Sequence, residues 1–368
     1  MYIDGGIKRR KLMKNVERGK MMKKHKTSKN KGNLLLTIYF MIIVILCLTT
    51  FSIFYFKEKI LSIGNSNISD YEQYNKHYVL ITNNRDTAFW EVVYESAKEE
   101  AKKDSAYIEY MGKDLSTDYN VKEYLRIAID CNVDGIIIEA DESDEVAKLI
   151  DEAEEKGIRV VTVLKDSLKS NRQSFIGINN YTLGQLYGQQ VLEIQDKNTK
   201  RILVLMNSND SVTNQNIIYS SLKETIKNAP QKNKPLQIDN IMVNNENVFS
   251  SEEAIRDIIM DEAISPNIMI CLSGVDTQCA YQAVVDHNKV GIINILGYYS
   301  TPDILTAVKK KIIHSTILID ASQMGSLAVQ ALNDSIKGNR VSEYLPVDIE
   351  LITLANVDSY MEKIDEGK

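Results

Sequence analysis

Tyr78-Val79-Leu80-Ile81-Thr82-Asn83-Asn84-Arg85-Asp86-Thr87-Ala88-Phe89-Trp90 is the stretch from which the fold can be read. Its first five residues make an apolar run of strand length. Asn83 to Asp86 break that run, and Glu91 to Lys103 carries the spacing of an amphipathic helix. Strand, polar turn and helix form one βα unit, and in open sheets of such units ligands collect at the carboxyl ends of the strands. Phe89 and Trp90, the latter the only tryptophan, fall at that end. Two adjacent rings there either stack on a flat ligand or complete the packing face of the helix, and the residues leave both readings open.

The unit recurs down the chain. Strands are expected over Ala106–Met111, Asp134–Glu139 and Ile158–Leu164, with helices over Asp118–Asn132 and Asp144–Lys156, the second closed by Gly157. Gly135-Ile136-Ile137-Ile138 is nearly continuous β-branched sequence, as in a parallel strand covered on both faces. Phe175 to Asn180 reads as a further strand, and a helix from Thr182 holds Gly184 and Gly188, spaced for close packing on a sheet. The alternation then restarts with strands at Arg201–Met206, Leu236–Val243, Asn267–Leu272, Ile292–Leu296, Ile312–Ile319 and Leu345–Thr353. Helices over Val212–Asn228, Ser251–Ala263, Val275–His287, a short one from Pro302, and Ser322–Lys337 lie between them. Two βα runs divided near Asn179 predict an α/β protein of two doubly wound parallel-sheet lobes with a cleft.

A length of 368 residues, 44% of them hydrophobic and 26% charged, suits a globular chain of about two domains. The net charge of -6 hides an asymmetry. Residues 1–33 hold twelve Lys and Arg against Asp4 and Glu17, about +10, which leaves about -16 on the remainder. An acidic body disfavours nucleic acid as a partner. Leu34 to Phe56 is an uncharged apolar run that as a helix would rise about 34 Å, enough to cross a bilayer. With the flanking positive charge on its N-terminal side, it predicts a single-pass cell-membrane anchor with a cytoplasmic N-terminus and an extracytoplasmic body.

A cleaved signal peptide would have a shorter apolar core and a small-residue exit, which Thr49-Thr50-Phe51-Ser52 does not supply. A lipoprotein box before Cys47 would need a small residue where Leu46 stands. A translation start at Met21 or Met22 would shorten the tail and keep the anchor. The expected order is a basic cytoplasmic tail (1–33), a transmembrane helix (34–56), a tether (57–76), a ligand domain (77–357) and a terminal tail (358–368).

Catalytic and metal chemistry find no footing. Cys47, Cys131, Cys271 and Cys279 fall in the apolar run, at a helix end, in a strand and in a helix, with no metal spacing. His25, His77, His287 and His314 form no nucleophile–base order, and no glycine-rich phosphate loop is present. Asp141, Glu142, Asp144 and Glu145 are an acidic helix start suited to the helix dipole. No cofactor, metal or catalytic role is expected.

Five stretches together resemble the type I periplasmic-binding-protein family, its ribose/galactose-type members, over about residues 78–357. They are ITNNRDTAFW (81–90), CNVDGIIIEADESDEVAKLIDEAEEKGIRVVTV (131–163), FIGINNYTLGQLYGQQV (175–191), INILGYYSTPDILTAVKKKIIHSTI (293–317) and YLPVDIELIT (344–353). The resemblance implies lobe 1 over about 77–179 and 321–344, and lobe 2 over about 180–320 and 345–357. Three crossovers near Ile178–Tyr181, Asp320–Ser322 and Glu343–Pro346 would form the hinge. It further implies that Thr87 is a polar contact, that Phe89 and Trp90 stack a sugar ring, that Lys165 replaces an arginine, and that Asp276 is a contact from lobe 2.

The chain departs from the family pattern at four places. Leu164 stands for a carboxylate, Ile218 for an arginine, Tyr299 for an aspartate and Ile319 for a glutamine. Monosaccharide hydroxyls need such bidentate groups. Arg85 and Glu139, with Asp86, Asp166, Asn214, Gln215 and Gln323, lie on loops that could supply replacements, and Tyr299 remains in the expected ligand set.

The expected function is an extracytoplasmic substrate-binding protein, membrane-anchored, that closes on a small sugar-like molecule and presents the closed form to an ABC-transporter permease or a membrane sensor histidine kinase. Closure of a hinge around ligand supplies the differential affinity that such a switch needs. Tethering beside a partner raises effective concentration and favours reporting over delivery. The alternatives are a ligand-free protein-docking module of the same fold and a membrane-attached transcriptional regulator; for the second, Leu34–Phe56 occupies the place of a DNA-binding headpiece.

Overall fold

The computed structural model describes residues 40–53, 55, 74–83, 87–113, 115, 119–208, 211–230, 236–244 and 248–365. The basic tail, Arg85, Asp86 and nearly all of the tether lie outside these residues. The chain divides into two units, Met1–Gln73 and Tyr74–Lys368. In the first, residues 40–53 are helical and their apolar side chains are exposed, Phe40 by 67% and Phe51 by 71%. The Thr49 and Thr50 hydroxyls donate back to Leu46 O, both at 2.9 Å. Among the described residues no helix is long and apolar enough to cross a membrane; residues 34–39, 54 and 56 of the expected span fall outside them.

The second unit holds the two lobes. Lobe 1 begins with β1 (Lys76–Ile81), α1 (Ala88–Lys102), β2 (Ala106–Tyr110), α2 (Val121–Asp130), β3 (Gly135–Ile138), α3 (Asp144–Glu155), β4 (Arg159–Val163) and β5 (Ser174–Ile178). The chain then crosses into lobe 2 for α4 (Asn180–Ile194), β6 (Arg201–Asn207), α5 (Val212–Asn228), β7 (Gln237–Val243), α6 (Val248–Met260), β8 (Ile268–Cys271), α7 (Gly274–Asp286), β9 (Asn294–Leu296), α8 (Pro302–Lys309) and β10 (Ile313–Ile319). It returns for α9 (Ala321–Ile336) and β11 (Tyr344–Val347), and crosses a third time to β12 (Ile349–Thr353) and α10 (Val357–Asp365). The sheets run β11-β5-β4-β3-β1-β2 and β12-β10-β9-β8-β6-β7. Among the described residues every strand pairing is parallel except β10 with β12.

Local chemistry explains the element ends. Asn120, Ser143, Asn179, Ser211, Ser273, Thr301 and Asp320 each accept the amide three residues on, the N-cap bond that satisfies an orphan helix donor. Asn179 and Asp320 cap the helices that follow the first and second crossovers. Five residues after each cap stands a glycine at a helix–helix contact. A Cβ on Gly184 would sit 2.3 Å from Ile218 O of α5, and one on Gly325 would sit 2.2 Å from Val93 O of α1. The two lobes are thus built by one rule.

Three expectations need correction. Gly184 and Gly188 pack against α5 and not against a sheet. Leu345 to Thr353 is not one strand of lobe 2: Tyr344–Val347 lies on the edge of the first sheet beside β5, and the chain changes sheets at Asp348. Pro346 suits that edge, since it donates no ladder hydrogen bond. The third crossover therefore sits at Val347–Ile349, past the expected Glu343–Pro346. Residues 358–365 are not a loose tail either. Val357 is fully buried, Tyr360 and Met361 pack on the lobe-2 core, and Lys309 Nζ lies 2.8 Å from Asp358.

Candidate functional site: the cleft between the strand ends

The carboxyl ends of β1, β3 and β4 bring together one set of side chains in lobe 1. Glu139, at the end of β3, is 2% exposed. Its carboxylate accepts the Asn83 amide at 3.1 Å and lies 3.6 Å from Lys165 Nζ, so a charge that burial would otherwise penalise has two partners. Lys165 follows Leu164, whose φ of 62° places a bulky residue in left-handed backbone. Asp166 is not a spare ligand group. It accepts Thr162 Oγ1 at 2.6 Å, the Ser167 amide at 2.8 Å and Arg172 Nη2 at 2.6 Å, and so locks the loop between β4 and β5.

Phe89 and Trp90, adjacent in sequence, part in space. Trp90 is 2% exposed and belongs to the core with Val93, Ala97 and Ala101 of the same helix. Phe89 is half-buried, edge-on to Trp90 at 5.2 Å. Thr87 is the exposed N-cap position of α1.

Lobe 2 contributes the ends of β6, β8 and β9. Asp276 is fully buried in the first turn of α7, where its carboxylate accepts Ser273 Oγ at 2.7 Å. Thr277 Oγ1 accepts the Tyr298 amide at 2.9 Å and so fixes the turn after β9. Gln215 spans the end of β6, accepting the Asn207 amide at 2.6 Å and donating to Asn207 O at 2.8 Å. Tyr299 carries a φ of 78° and is half-buried. Burial, Tyr298 and the Glu139 carboxylate together push its phenol well above the ordinary tyrosine range, which keeps it neutral.

Across the cleft, the Tyr299 ring meets Phe89 of lobe 1 at 5.3 Å between centroids, inclined at 55°. Glu139, Lys165 and Tyr299 thus stand on turns after strands, and Phe89 and Asp276 in the first turns of the helices that follow strands, while Trp90 stands behind them. Ile218 and Ile319, at 6% and 3% exposure, are core residues. The contact between Phe89 and Tyr299 was not foreseen from sequence, because it joins residues more than two hundred positions apart. Among the described residues no group of three or more His, Cys, Asp and Glu side chains could hold a metal ion.

A family model described as "Periplasmic binding protein domain" matches residues 78–340. Among solved structures, GanP, a glucose-galactose binding protein from Geobacillus stearothermophilus, superposes with a TM-score of 0.67 at 22% identity, covering 76% of this chain and 98% of that one. XylFII in its complex with LytSN gives 0.62 at 24% identity over 76% and 98%. A sugar-binding protein of a sugar ABC transporter from Bacillus halodurans gives 0.67 at 21% identity over 77% and 100%. No curated protein matches the chain. Two lobes, three crossovers and a matched domain spanning most of the second unit identify the chain as a member of the periplasmic binding protein domain family.

Proposed function

We propose that the chain is a membrane-anchored extracytoplasmic binding protein that closes on a small, sugar-like molecule and presents the closed form to a membrane partner. The observation that carries this is the facing of two sets of strand-end side chains, one per lobe, across a hinge of three crossovers. A molecule held between Phe89, Glu139 and Lys165 on one side and Asp276 and Tyr299 on the other is buried by both lobes only in the closed state, so binding drives closure. Thr87 would complete the lobe-1 rim, with Trp90 holding Phe89 in place; Arg85 stays a candidate contact from the sequence alone. The likeness to a glucose-galactose binding protein and to an arabinose binding protein, both from Geobacillus stearothermophilus, supports a sugar-like ligand.

The anchor rests on the apolar run Leu34–Phe56. Residues 40–53 expose apolar side chains around a helix whose Thr49 and Thr50 hydroxyls are turned inward to backbone carbonyls, an arrangement suited to lipid and costly in water. Held there, the body stays beside its partner, either a transporter permease or a sensor histidine kinase. Tethering favours the kinase. The XylFII complex with LytSN shows one protein of this fold assembled with a partner chain.

The test is a thermal-shift screen of the full chain against monosaccharides, polyols, nucleosides and furanones, since a ligand of the native state raises the melting point by mass action. A shift confined to sugar-like compounds is expected. No shift across the panel would overturn the ligand reading and leave a protein-docking module.

A further inference from the structure

We propose that Tyr299 decides what the cleft admits, by seating its own phenol on Phe89 at the place where a ring-shaped ligand would stack. The inference rests on the binding-protein reading above. Two rings that sandwich a third need about 7 Å between them, two van der Waals separations of about 3.5 Å. Phe89 and Tyr299 stand 5.3 Å apart and inclined at 55°, so no ring fits between them. The place is taken.

The scaffold holds Tyr299 there. Its amide donates to Ile317 O at 2.9 Å and its carbonyl accepts Thr316 Oγ1 at 2.5 Å. A Cβ built on Gly274 would lie 3.3 Å from Tyr299 Cβ, so the turn is also close-packed from below. A φ of 78° at a bulky residue is strained backbone that persists only where surroundings impose it. Leu164, at the end of β4, repeats the pattern with a φ of 62°. Left-handed backbone favours glycine, asparagine and aspartate. The two strand ends that keep this backbone carry instead a leucine and a tyrosine, which cannot grip paired hydroxyls as a carboxylate does.

Glu139 holds Lys165 and the Asn83 amide, and Asp276 holds Ser273, each pairing within one lobe. The buried apolar side chains of the two lobes also form one continuous cluster, in which Trp90, Ile178 and Met324 join Met206, Leu272 and Ile319. A monosaccharide therefore reaches the Phe89 ring only by displacing the phenol.

The experiment compares the full chain with Tyr299→Ala in two readouts: calorimetric titration with D-glucose, D-galactose, D-xylose and L-arabinose, and the ligand-free distance distribution between spin labels on α3 and α6. The expected result for the native chain is a distribution weighted to the short, closed distance and only weak sugar binding. Tyr299→Ala should show a broadened, longer distribution and a gain of about tenfold or more in affinity for at least one sugar. Broadening without sugar binding to either protein upholds the resident phenol and sinks the sugar reading instead. Native binding of a sugar that Tyr299→Ala weakens would overturn the proposal and leave the binding function standing, with Tyr299 as a ligand contact. An unchanged distribution with no gain in affinity would also overturn it. Should Tyr299→Ala fail to fold, Phe89→Ala removes the other ring without touching the β9 turn. It must broaden the same distribution, and if it does not the proposal falls.

Discussion

Gln323 and Asp348 exchange hydrogen bonds across two of the three crossovers: Gln323 Nε2 donates to Asp348 Oδ2 at 3.0 Å, and the Asp348 amide donates to Gln323 Oε1 at 2.6 Å. The Asp320 amide adds a bond to Asp348 O at 3.0 Å, and the Asp320 side chain accepts the Gln323 amide at 2.8 Å. The second and third connections thus move as one piece, leaving the first, at Asn179, as a separate strand of the hinge.

That clip has a measurable strength. Gln323→Leu removes both side-chain bonds and is expected to cost about 1 kcal/mol, the usual net worth of a partly exposed hydrogen bond. Asp348→Ala removes only the carboxylate and leaves its amide bonded to Gln323. A double-mutant cycle by urea unfolding should therefore return a coupling of about 0.5–1 kcal/mol, since the two side chains touch. A coupling of zero would mean that the exchange contributes nothing in solution.

Trp90 and Phe89 should separate by their energetics. Trp90→Ala opens a cavity in the lobe-1 core and is expected to destabilise the ligand-free chain by about 3–5 kcal/mol. Phe89→Ala removes a half-buried ring and should cost clearly less, about 1–2 kcal/mol. Urea unfolding of the two variants checks the order. Equal losses would place Phe89 in the core as well, against its position on the cleft.

The fold was legible because the βα units announce themselves twice, through an apolar strand and the polar turn that ends it. The two aromatics could also have been parted in advance: Trp90, Val93, Ala97 and Ala101 follow the spacing of one buried helix stripe, and Phe89 lies off it. What sequence could not show was the change of sheet at Asp348, because extended backbone runs on unbroken from β11 into β12 and the period-two pattern does not record which sheet receives it. The docked α10 escaped for a related reason, since Val357, Tyr360 and Met361 supply barely one helical turn of apolar spacing. The contact of Phe89 with Tyr299 depends on how the lobes close, which no local pattern encodes.

His314 gives the stability of lobe 2 a pH dependence of known sign. Burial holds its imidazole below the ordinary 6.5, with Glu193 pulling in the opposite direction. The unfolded chain therefore takes up a proton at this position at a higher pH than the folded chain does. Stability is unaffected well above pH 6.5 and falls as pH drops from there through the folded value. His314→Gln should flatten that part of the profile, measured as the difference between variant and native melting points from pH 8 to about 5. A variant whose profile runs parallel to that of the native chain would show that His314 does not titrate in this way.

Gly184 and Gly325 test whether the lobes share one construction rule. Each stands five residues after the side chain that caps its helix, and each lets that helix meet the backbone of another: Gly184 at Ile218 O of α5, Gly325 at Val93 O of α1. A methyl group at either site cannot be absorbed by a side-chain rotation, because the atom it strikes is a main-chain carbonyl. The helices must separate. Gly184→Ala and Gly325→Ala are each expected to destabilise the chain by about 1–3 kcal/mol, even though alanine is the better helix former by about 1 kcal/mol. The residues around Gly184, Ile218 and Ser221, are distinct from those around Gly325, Val93 and Ala97, so the losses should add to within about 0.5 kcal/mol in the double variant. Stabilisation by either substitution in urea unfolding would show that the helix pair has room to spare and that the matched glycines are no device of close approach.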